Sequence, residues 1–426
     1  MEMEDAASCW GRDHDEIFKM LCLRILNNVY GEECCSIIYN AIEKGAQSID
    51  QLREDSKLEE NTFNRSISTL LHSKIIRTEP FSIDYTQMFN LLLYSHFLEF
   101  AMSCSPIPQD KELIAYIIQK VFDEQTLNSQ KLANSLVTKH ADLDRNRIVY
   151  LIEHLVGKQV LQEDSEGCIS FNVPFYYMEK RKEAIKSMVQ YNDHRVVEVV
   201  DALFSKDLFF KILSDKENTK FDVDEVVNKL MDITGLTEKE INGIFKILKA
   251  KEYSLISQNE WILTPNETLK NFKIKQIANI LVEIGYPLSR RVVNILLKNE
   301  HLETTMLCEL CLLSSEDGQE LFEKLMFLGI LMVDKLQDAP HTSLKKHYYV
   351  WRINFPVAIA NSSAYLLGIL TKLYIDLSNE ISLSNEKYSL SESLLQMHKK
   401  TLNDRIKIIN NTIMSVSRKY IEVHEL

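Results

Sequence analysis

Residues 290–351, RRVVNILLKNEHLETTMLCELCLLSSEDGQELFEKLMFLGILMVDKLQDAPHTSLKKHYYVW, are the most informative stretch for the fold. Apolar residues recur at helical spacing over 292–297, which predicts an amphipathic helix with one buried face. A shorter helix is expected over 305–313, and Ser314 is a candidate N-cap for a third helix. Apolar and β-branched runs at 330–333 and 347–353 then predict two strands. Three helices followed by a two-stranded hairpin indicate a winged helix.

The same pattern occurs three more times upstream. A leucine at the end of each predicted third helix is followed five residues later by the apolar start of a strand. The pairs are Leu70 and Ile75, Leu155 and Val160, Leu248 and Tyr253, and Leu325 and Ile330. The leading leucines are 85, 93 and 77 residues apart, a period that favours tandem small domains over a solenoid. The predicted winged helices span residues 12–105, 110–190, 194–269 and 270–353, and the third has its strand pair at 253–257 and 260–263.

The remaining residues, 355–426, have the spacing of a heptad repeat. Its apolar positions are Leu366, Leu370, Leu373, Leu377, Leu402, Ile406, Ile409 and Ile413. A polar segment at 378–389 is expected to turn one helix back on the other. The predicted fold class is therefore mainly α with small β-hairpins: four tandem winged-helix domains and a C-terminal antiparallel coiled-coil hairpin. The heptad seam is the candidate surface for partner docking.

Composition limits the classes of function. The chain has 426 residues, 45% of them hydrophobic, with only 11 Gly and 8 Pro, which is ordinary for a helical globular protein. The formal net charge of −12 disfavours autonomous DNA binding through phosphate neutralisation. The acidic amino terminus has no apolar core, so we expect no signal peptide and reduced thiols, and no stretch predicts a membrane span.

No motif recommends catalysis. Phosphate-binding glycine loops, HExxH and the nucleophile elbow do not occur. Cys308 and Cys311 form a lone CxxC without a second pair, which is more typical of helix packing than of a zinc site. We therefore expect no catalytic, cofactor or metal residues and no small-molecule substrate.

Candidate DNA contacts come from the third helices, because this helix enters the major groove in helix-turn-helix proteins. The candidates are Arg145, Arg147 and Arg65 on third helices and Lys131 on the helix before the second repeat's third helix, although a solvated basic helix end is the simpler interpretation. In the fourth repeat the same helix carries Glu316, Asp317, Glu320 and Glu323, which phosphate would repel, so this domain is expected to pack on protein. Lys345, Lys346 and Arg352 lie among aromatic residues of the predicted wing, and an ordinary half-buried strand is the preferred interpretation of this segment.

Residues 291–303, RVVNILLKNEHLE, resemble the start of the last winged helix in the third-largest subunit of RNA polymerase III. Asp338-Ala339-Pro340, followed by the aromatic segment 347–351, resembles the wing of that family. The likeness is best over 290–377 and only architectural over the first 270 residues. The arm after the wing is short here, so contacts made through a longer tip do not carry over.

The resemblance implies a non-catalytic, nuclear polymerase subunit related to the alpha chain of general factor IIE. It would dock on the clamp of RNA polymerase III with two smaller subunits and support promoter opening and initiation on small untranslated RNA genes. One alternative is a winged-helix scaffold subunit of a proteasome-lid or signalosome-like complex. A stand-alone DNA-binding regulator is the third possibility.

Overall fold

The computed structural model describes residues 14–78, 81–123, 128–139, 144–165, 167–189, 194–205, 208, 219–251, 253–258, 260–337, 347–385 and 392–426. In these ranges the chain is mainly helical with small antiparallel β-hairpins, so the predicted class is confirmed at that level. None of the described helices combines the length and apolar composition needed to cross a lipid bilayer. The chain forms two compact units, described separately below.

The first unit contains Asp15–Tyr176 and Leu366–Arg418. The helices of its amino-terminal part are α1 (His14–Tyr30), α2 (Glu32–Lys44), α3 (Ile49–Ser56), α4 (Glu60–His72), α5 (Tyr85–Ser103), α6 (Lys111–Asp123), α7 (Ser129–Lys139) and α8 (Arg145–Gly157). Its strands are β1 (Ile76–Thr78), β2 (Phe81–Ile83), β3 (Leu161–Glu163) and β4 (Ile169–Phe171). One core is built from the apolar faces of α6, α7 and α8 with β3 and β4, where Leu151 and Ile152 are buried.

The second unit contains Tyr177–Tyr365 and Lys419–Leu426. Three helices cross the boundaries between the units: α9 (Val173–Val189), α17 (Phe355–Asn385) and α18 (Glu392–Tyr420). The other helices are α10 (His194–Leu203), α11 (Val223–Thr234), α12 (Glu238–Leu248), α13 (Pro265–Glu283), α14 (Ser289–Asn299), α15 (Thr304–Cys311) and α16 (Ser315–Phe327). The strands are β5 (Thr219–Lys220), β6 (Ile262–Leu263), β7 (Leu302–Glu303), β8 (Leu331–Gln337) and β9 (His347–Ile353).

All the strand pairs are antiparallel. In the second, third and fourth repeats one additional segment of the chain also pairs with the hairpin strands. The last sheet has the order β7-β9-β8, with Trp351 of β9 opposite both Leu302 and Val333. In the preceding hairpin, β5 pairs with β6 and a single bridge joins Ile256 to Leu263. A bridge between Asn128 and Cys168 lies at the corresponding place beside β4. In each case this additional segment lies just before the second of the three helices that precede the hairpin.

A left-handed residue marks the junction between each third helix and its hairpin. These residues are Lys74 (φ 56°), Gln159 (φ 62°), Ser254 (φ 50°) and Gly329 (φ 75°). The next backbone N–H donates to a helix carbonyl in each case: Ile75 to Leu70 (3.0 Å), Val160 to Leu155 (3.0 Å), Leu255 to Leu248 (3.1 Å) and Ile330 to Leu325 (2.9 Å). In all four junctions the N–H that follows the left-handed residue therefore satisfies a carbonyl near the helix end.

The third junction corrects one of the leucine–strand pairs predicted from the sequence. The residue equivalent to Ile330 is Leu255, two residues farther from the end of α12 than the predicted Tyr253. The prediction that residues 253–257 and 260–263 pair as a regular hairpin is also wrong. Between these two segments the described residues make a single bridge, from Ile256 to Leu263.

Each hairpin also ends alike. The N–H of a polar residue donates to the carbonyl of the residue that follows the left-handed one: Asp84 to Ile75 (2.8 Å), Asn172 to Val160 (3.1 Å), Thr264 to Leu255 (2.8 Å) and Asn354 to Ile330 (2.8 Å). A helix begins immediately afterwards. The Asp84 carboxylate accepts a hydrogen bond from the Gln87 N–H at 3.1 Å, so the closing residue also caps the helix.

Within the first unit, the two long C-terminal helices pack on the amino-terminal helices. Asn28 of α1 donates to the Tyr374 carbonyl of α17 at 3.3 Å. The buried His96 of α5 lies 2.7 Å from the Ser417 hydroxyl of α18. The predicted turn at 378–389 is wrong in its first part, because α17 continues through Asn385; residues 386–391 lie outside the described ranges. Tertiary contacts on α17 outweigh the weak helix preference of its serines and asparagines.

Candidate nucleic-acid and partner interfaces

The predicted DNA residue Arg145 lies exposed in the first turn of α8. Asp144 caps this helix: its carboxylate accepts a hydrogen bond from the N–H of Asn146 at 2.9 Å. Arg145 is therefore exposed at the start of the second repeat's third helix, where a phosphate could approach it.

Arg147 is differently placed. Its Nε donates to Asp110 Oδ1 at 3.2 Å, and a second guanidinium nitrogen donates to Asp110 Oδ2. This hydrogen bonding raises the pKa of Arg147 above its ordinary value. The guanidinium also lies 5.1 Å from the ring centroid of Tyr150. Because its charge is already balanced inside the protein, Arg147 is a weaker candidate for phosphate than Arg145.

The other two predicted residues are exposed. Lys131 lies in the first turn of α7. The side-chain oxygen of Asn128 caps this helix by accepting a hydrogen bond from the Lys131 N–H at 2.9 Å. Arg65 lies on α4. Lys131, Arg145 and Arg147 thus occur on the packed helices α7 and α8, whereas Arg65 belongs to the first repeat.

The predicted docking seam is largely covered by the chain itself. Leu366, Leu370, Leu373, Leu377, Leu402 and Ile413 are buried, whereas Ile406 and Ile409 are half-buried. In the first unit, Arg405 of α18 lies 3.5 Å from Glu380 of α17. A partner would therefore contact residues on the outer faces of these helices, such as Ile408, rather than the seam.

A basic cleft in the second unit was missed from the sequence. It has a volume of about 500 Å³. Its cations are Lys249, Lys251, Lys270 and Arg352, and its carboxylates are Glu267 and Glu300. These residues are spread over a hundred positions, so no local motif reveals them.

Each cation of this cleft already has a partner. Lys251 pairs with Glu300 at 3.2 Å, and Arg352 pairs with Asp334. Lys249 lies 3.4 Å above the Trp261 ring, and Lys270 lies 4.3 Å above Phe355. An incoming anion would have to compete with these contacts, so the cleft is better explained by packing between neighbouring repeats.

The CxxC cysteines are packing residues in the structure. Cys308 and Cys311 are buried on α15, and burial raises the pKa of Cys311 to about 11. A Cβ at Gly318 of α16 would overlap Cys308 Sγ, so the thiol occupies the space that this glycine leaves. Across the described residues, no group of three or more His, Cys, Asp or Glu side chains is arranged to hold a metal ion.

The exposed face of α16 is acidic, as its sequence indicates. Glu316, Asp317, Glu320 and Glu323 are all exposed, and Lys324 pairs with Glu320 at 2.5 Å. This face could not approach a phosphate backbone without repulsion. It ends at Phe327, which is 90% exposed.

No known protein family matches the chain, and no curated protein is significantly similar to it.

Proposed function

We propose that this chain is a non-catalytic subunit of RNA polymerase III that supports promoter opening and transcription initiation in the nucleus. The observation that carries the proposal is the fourfold recurrence of one junction, in which a third helix, a left-handed residue and a closed hairpin lead to a further helix. Tandem repeats of this kind suit an interaction protein, because each repeat presents its own helix face and hairpin.

Each repeat is best interpreted as a winged helix. The fourth runs α14, β7, α15, α16, β8, β9, and its strand order is β7-β9-β8. This order supports the winged-helix proposal, because in a winged helix a short strand after the first helix joins the hairpin that follows the third. The β5–β6 pair and the Asn128–Cys168 bridge support the same interpretation for the third and second repeats. The resemblance of residues 291–303 to the polymerase subunit supports the family assignment.

The C-terminal helices α17 and α18 are proposed to form the family's coiled-coil arm. Their heptad leucines and isoleucines support this, since six of the eight are buried within the chain. We propose that the repeats dock on the polymerase clamp, together with two smaller subunits. Arg145 and Lys131 are the residues proposed to approach promoter DNA, because their side chains are exposed on α8 and α7.

The main alternative is a scaffold subunit of a proteasome-lid or signalosome-like complex. Such chains usually carry one winged helix after a long helical array, whereas here the hairpin junction recurs four times. A stand-alone regulator is disfavoured by the net charge of −12.

Affinity purification of the tagged full-length chain from its native cells, followed by mass spectrometry, tests the proposal. We expect the two largest polymerase III subunits and two smaller initiation subunits to co-purify in near-stoichiometric amounts. Recovery of lid or signalosome subunits instead would replace the proposal with the scaffold alternative. Recovery of the chain alone, with salt-dependent duplex binding, would favour the regulator.

A further inference from the structure

Helix α16 presents one continuous stripe away from the core of its repeat. Glu316, Glu320, Glu323 and Phe327 are spaced by four, three and four residues, which places them on a single helix face. The core of the repeat lies on the opposite face, where Leu325 is fully buried. The stripe therefore contributes nothing to the packing of its own repeat.

The end of the stripe is unusually apolar for a surface. Phe327 is 90% exposed, and its neighbour Met326 is 43% exposed. Val357, at the start of α17, is 40% exposed and lies beside the same junction, since a Cβ on Gly329 would be 2.5 Å from its Cγ1. Three large apolar side chains thus remain uncovered at the C-terminal end of α16, where water contact is unfavourable.

The remainder of the stripe is negative. Lys324 is the only basic residue on α16, and it pairs with Glu320 at 2.5 Å, which leaves Glu316 and Glu323 without a cation from this helix. The Gln319 amide donates to Glu323 at 3.0 Å but does not neutralise it. This charge repels nucleic acid and anionic lipid surfaces, and it complements a basic protein segment.

We propose that the α16 stripe is the docking surface for a basic amphipathic helix of a protein partner. An apolar side chain of that helix would cover Phe327, Met326 and Val357, and Lys or Arg residues about one and three turns away would pair with Glu323 and Glu316. The stripe covers eleven residue steps, about 16 Å of helix, so roughly three turns of the partner would be engaged. This inference rests on the proposed function, because it assigns the face through which the subunit contacts another protein.

Photo-crosslinking tests the inference on the full chain in its native cells. A p-benzoylphenylalanine introduced at position 327 replaces an aromatic ring that supports no core, so folding is preserved. The control carries the same residue at Tyr349, which is 60% exposed on β9. Position 327 is expected to crosslink to one peptide that has Lys or Arg at helical spacing around an apolar position, and position 349 is not. Crosslinks to nucleic acid, to a second copy of the chain, to a peptide without that pattern or to nothing would overturn the inference.

A variant with reversed charges on α16 provides a second test of the inference. Glu320→Lys with Glu323→Lys should reduce the crosslink yield at least tenfold. The control, Glu225→Lys with Asp232→Lys on α11, makes the same charge change and likewise removes an exposed i,i+4 pair, Glu225–Lys229. Equal loss in both variants would overturn the inference.

The two proposals fail separately. If the crosslinked basic helix belongs to a lid subunit, the docking surface stands and the polymerase assignment fails. If polymerase subunits co-purify but position 327 crosslinks to none of them, the assignment stands and the docking surface fails.

Discussion

The Arg147 guanidinium of α8 forms a two-point ion pair with Asp110, 37 residues earlier in the chain. Asp110 ends the short 3-10 turn Pro108–Asp110 between α5 and α6, and it is buried, with 9% of its surface exposed. The pair therefore fastens the short turn between α5 and α6 to α8, the third helix of the second repeat. A residue expected to contact DNA from the sequence is engaged in holding the fold.

Breaking this pair on one side should destabilise the protein more than replacing both partners. Arg147→Met leaves the Asp110 carboxylate buried without its cation, which is costly. Adding Asp110→Leu removes the orphaned charge, so the thermal midpoint of the double variant should recover most of the loss. Circular dichroism melts of the two variants check this. A double variant less stable than Arg147→Met would contradict it.

Arg145 should respond as a phosphate contact. Arg145→Glu is expected to leave the melting temperature unchanged and to reduce the salt slope of DNA binding, log K against log salt, by about one for a lost phosphate contact. The measurement is fluorescence anisotropy with a labelled duplex on the assembled complex. Lys229→Glu on α11 is the control, since Lys229 is exposed and changes charge equally. If both variants lower the salt slope equally, the effect comes from the net charge of the protein and not from a phosphate contact at Arg145.

A side chain at position 318 should destabilise the protein unless Cys308 is replaced by a smaller residue. Gly318→Ala places a Cβ against Cys308 Sγ, and such overpacking costs about 1–3 kcal/mol. In the Gly318→Ala, Cys308→Ala double variant the clash is gone, so the total cost should be smaller than the sum of the single costs. Gly243→Ala on α12 is the control: its Cβ meets nothing within 4 Å, and it should stabilise by about 0.5–1 kcal/mol. Urea denaturation measures all four variants, and strict additivity would refute the contact.

Cys311 should be nearly inert to alkylation in the folded protein. Burial raises its pKa from 9.0 to about 11, which lowers the thiolate fraction near neutral pH about a hundredfold. Peptide-level mass spectrometry after iodoacetamide treatment, native against urea-denatured, should show at least that ratio for Cys311. The half-exposed Cys168 provides the comparison. Equal rates for the two thiols in the native protein would contradict the burial.

Stability should fall at alkaline pH, in part because of Cys22. Burial raises the pKa of this thiol to about 12 from 9.0, so the unfolded chain loses the proton first as pH rises. The contribution is complete below about pH 9, the ordinary pKa of the thiol, and is lost as pH rises from there toward 12, at about 1.4 kcal/mol per pH unit for one proton. Cys22→Ala should flatten this decline between pH 9 and 10.5, measured by urea denaturation under reducing conditions. Cys168→Ala is the control and should leave the slope as it is.

Local signals explain why the helical class and the repeats could be predicted. Ser314 caps α16 as its position suggested, and Thr237 with Glu240 forms the capping box at α12. Leu70, Leu155, Leu248 and Leu325 end their helices fully buried. Each of these features depends on neighbours within one or two helical turns, so the sequence carries the information directly.

The candidate interfaces depend on distant neighbours, and only the tertiary structure decided them. Asp110 pairs with Arg147 and makes it a weaker candidate for phosphate than Arg145, and the basic cleft brings together Lys249, Lys270 and Arg352 from distant parts of the chain. Tyr253 and Leu255 are both suited to the buried start of a strand, so the sequence does not reveal the two-residue offset that the left-handed Ser254 introduces in the third junction. The sequence by itself determined where helices and junctions form, because capping and periodicity are local. The fold decided which charges remain available to a partner, because ion pairing and burial require residues that are far apart in the chain to pack together.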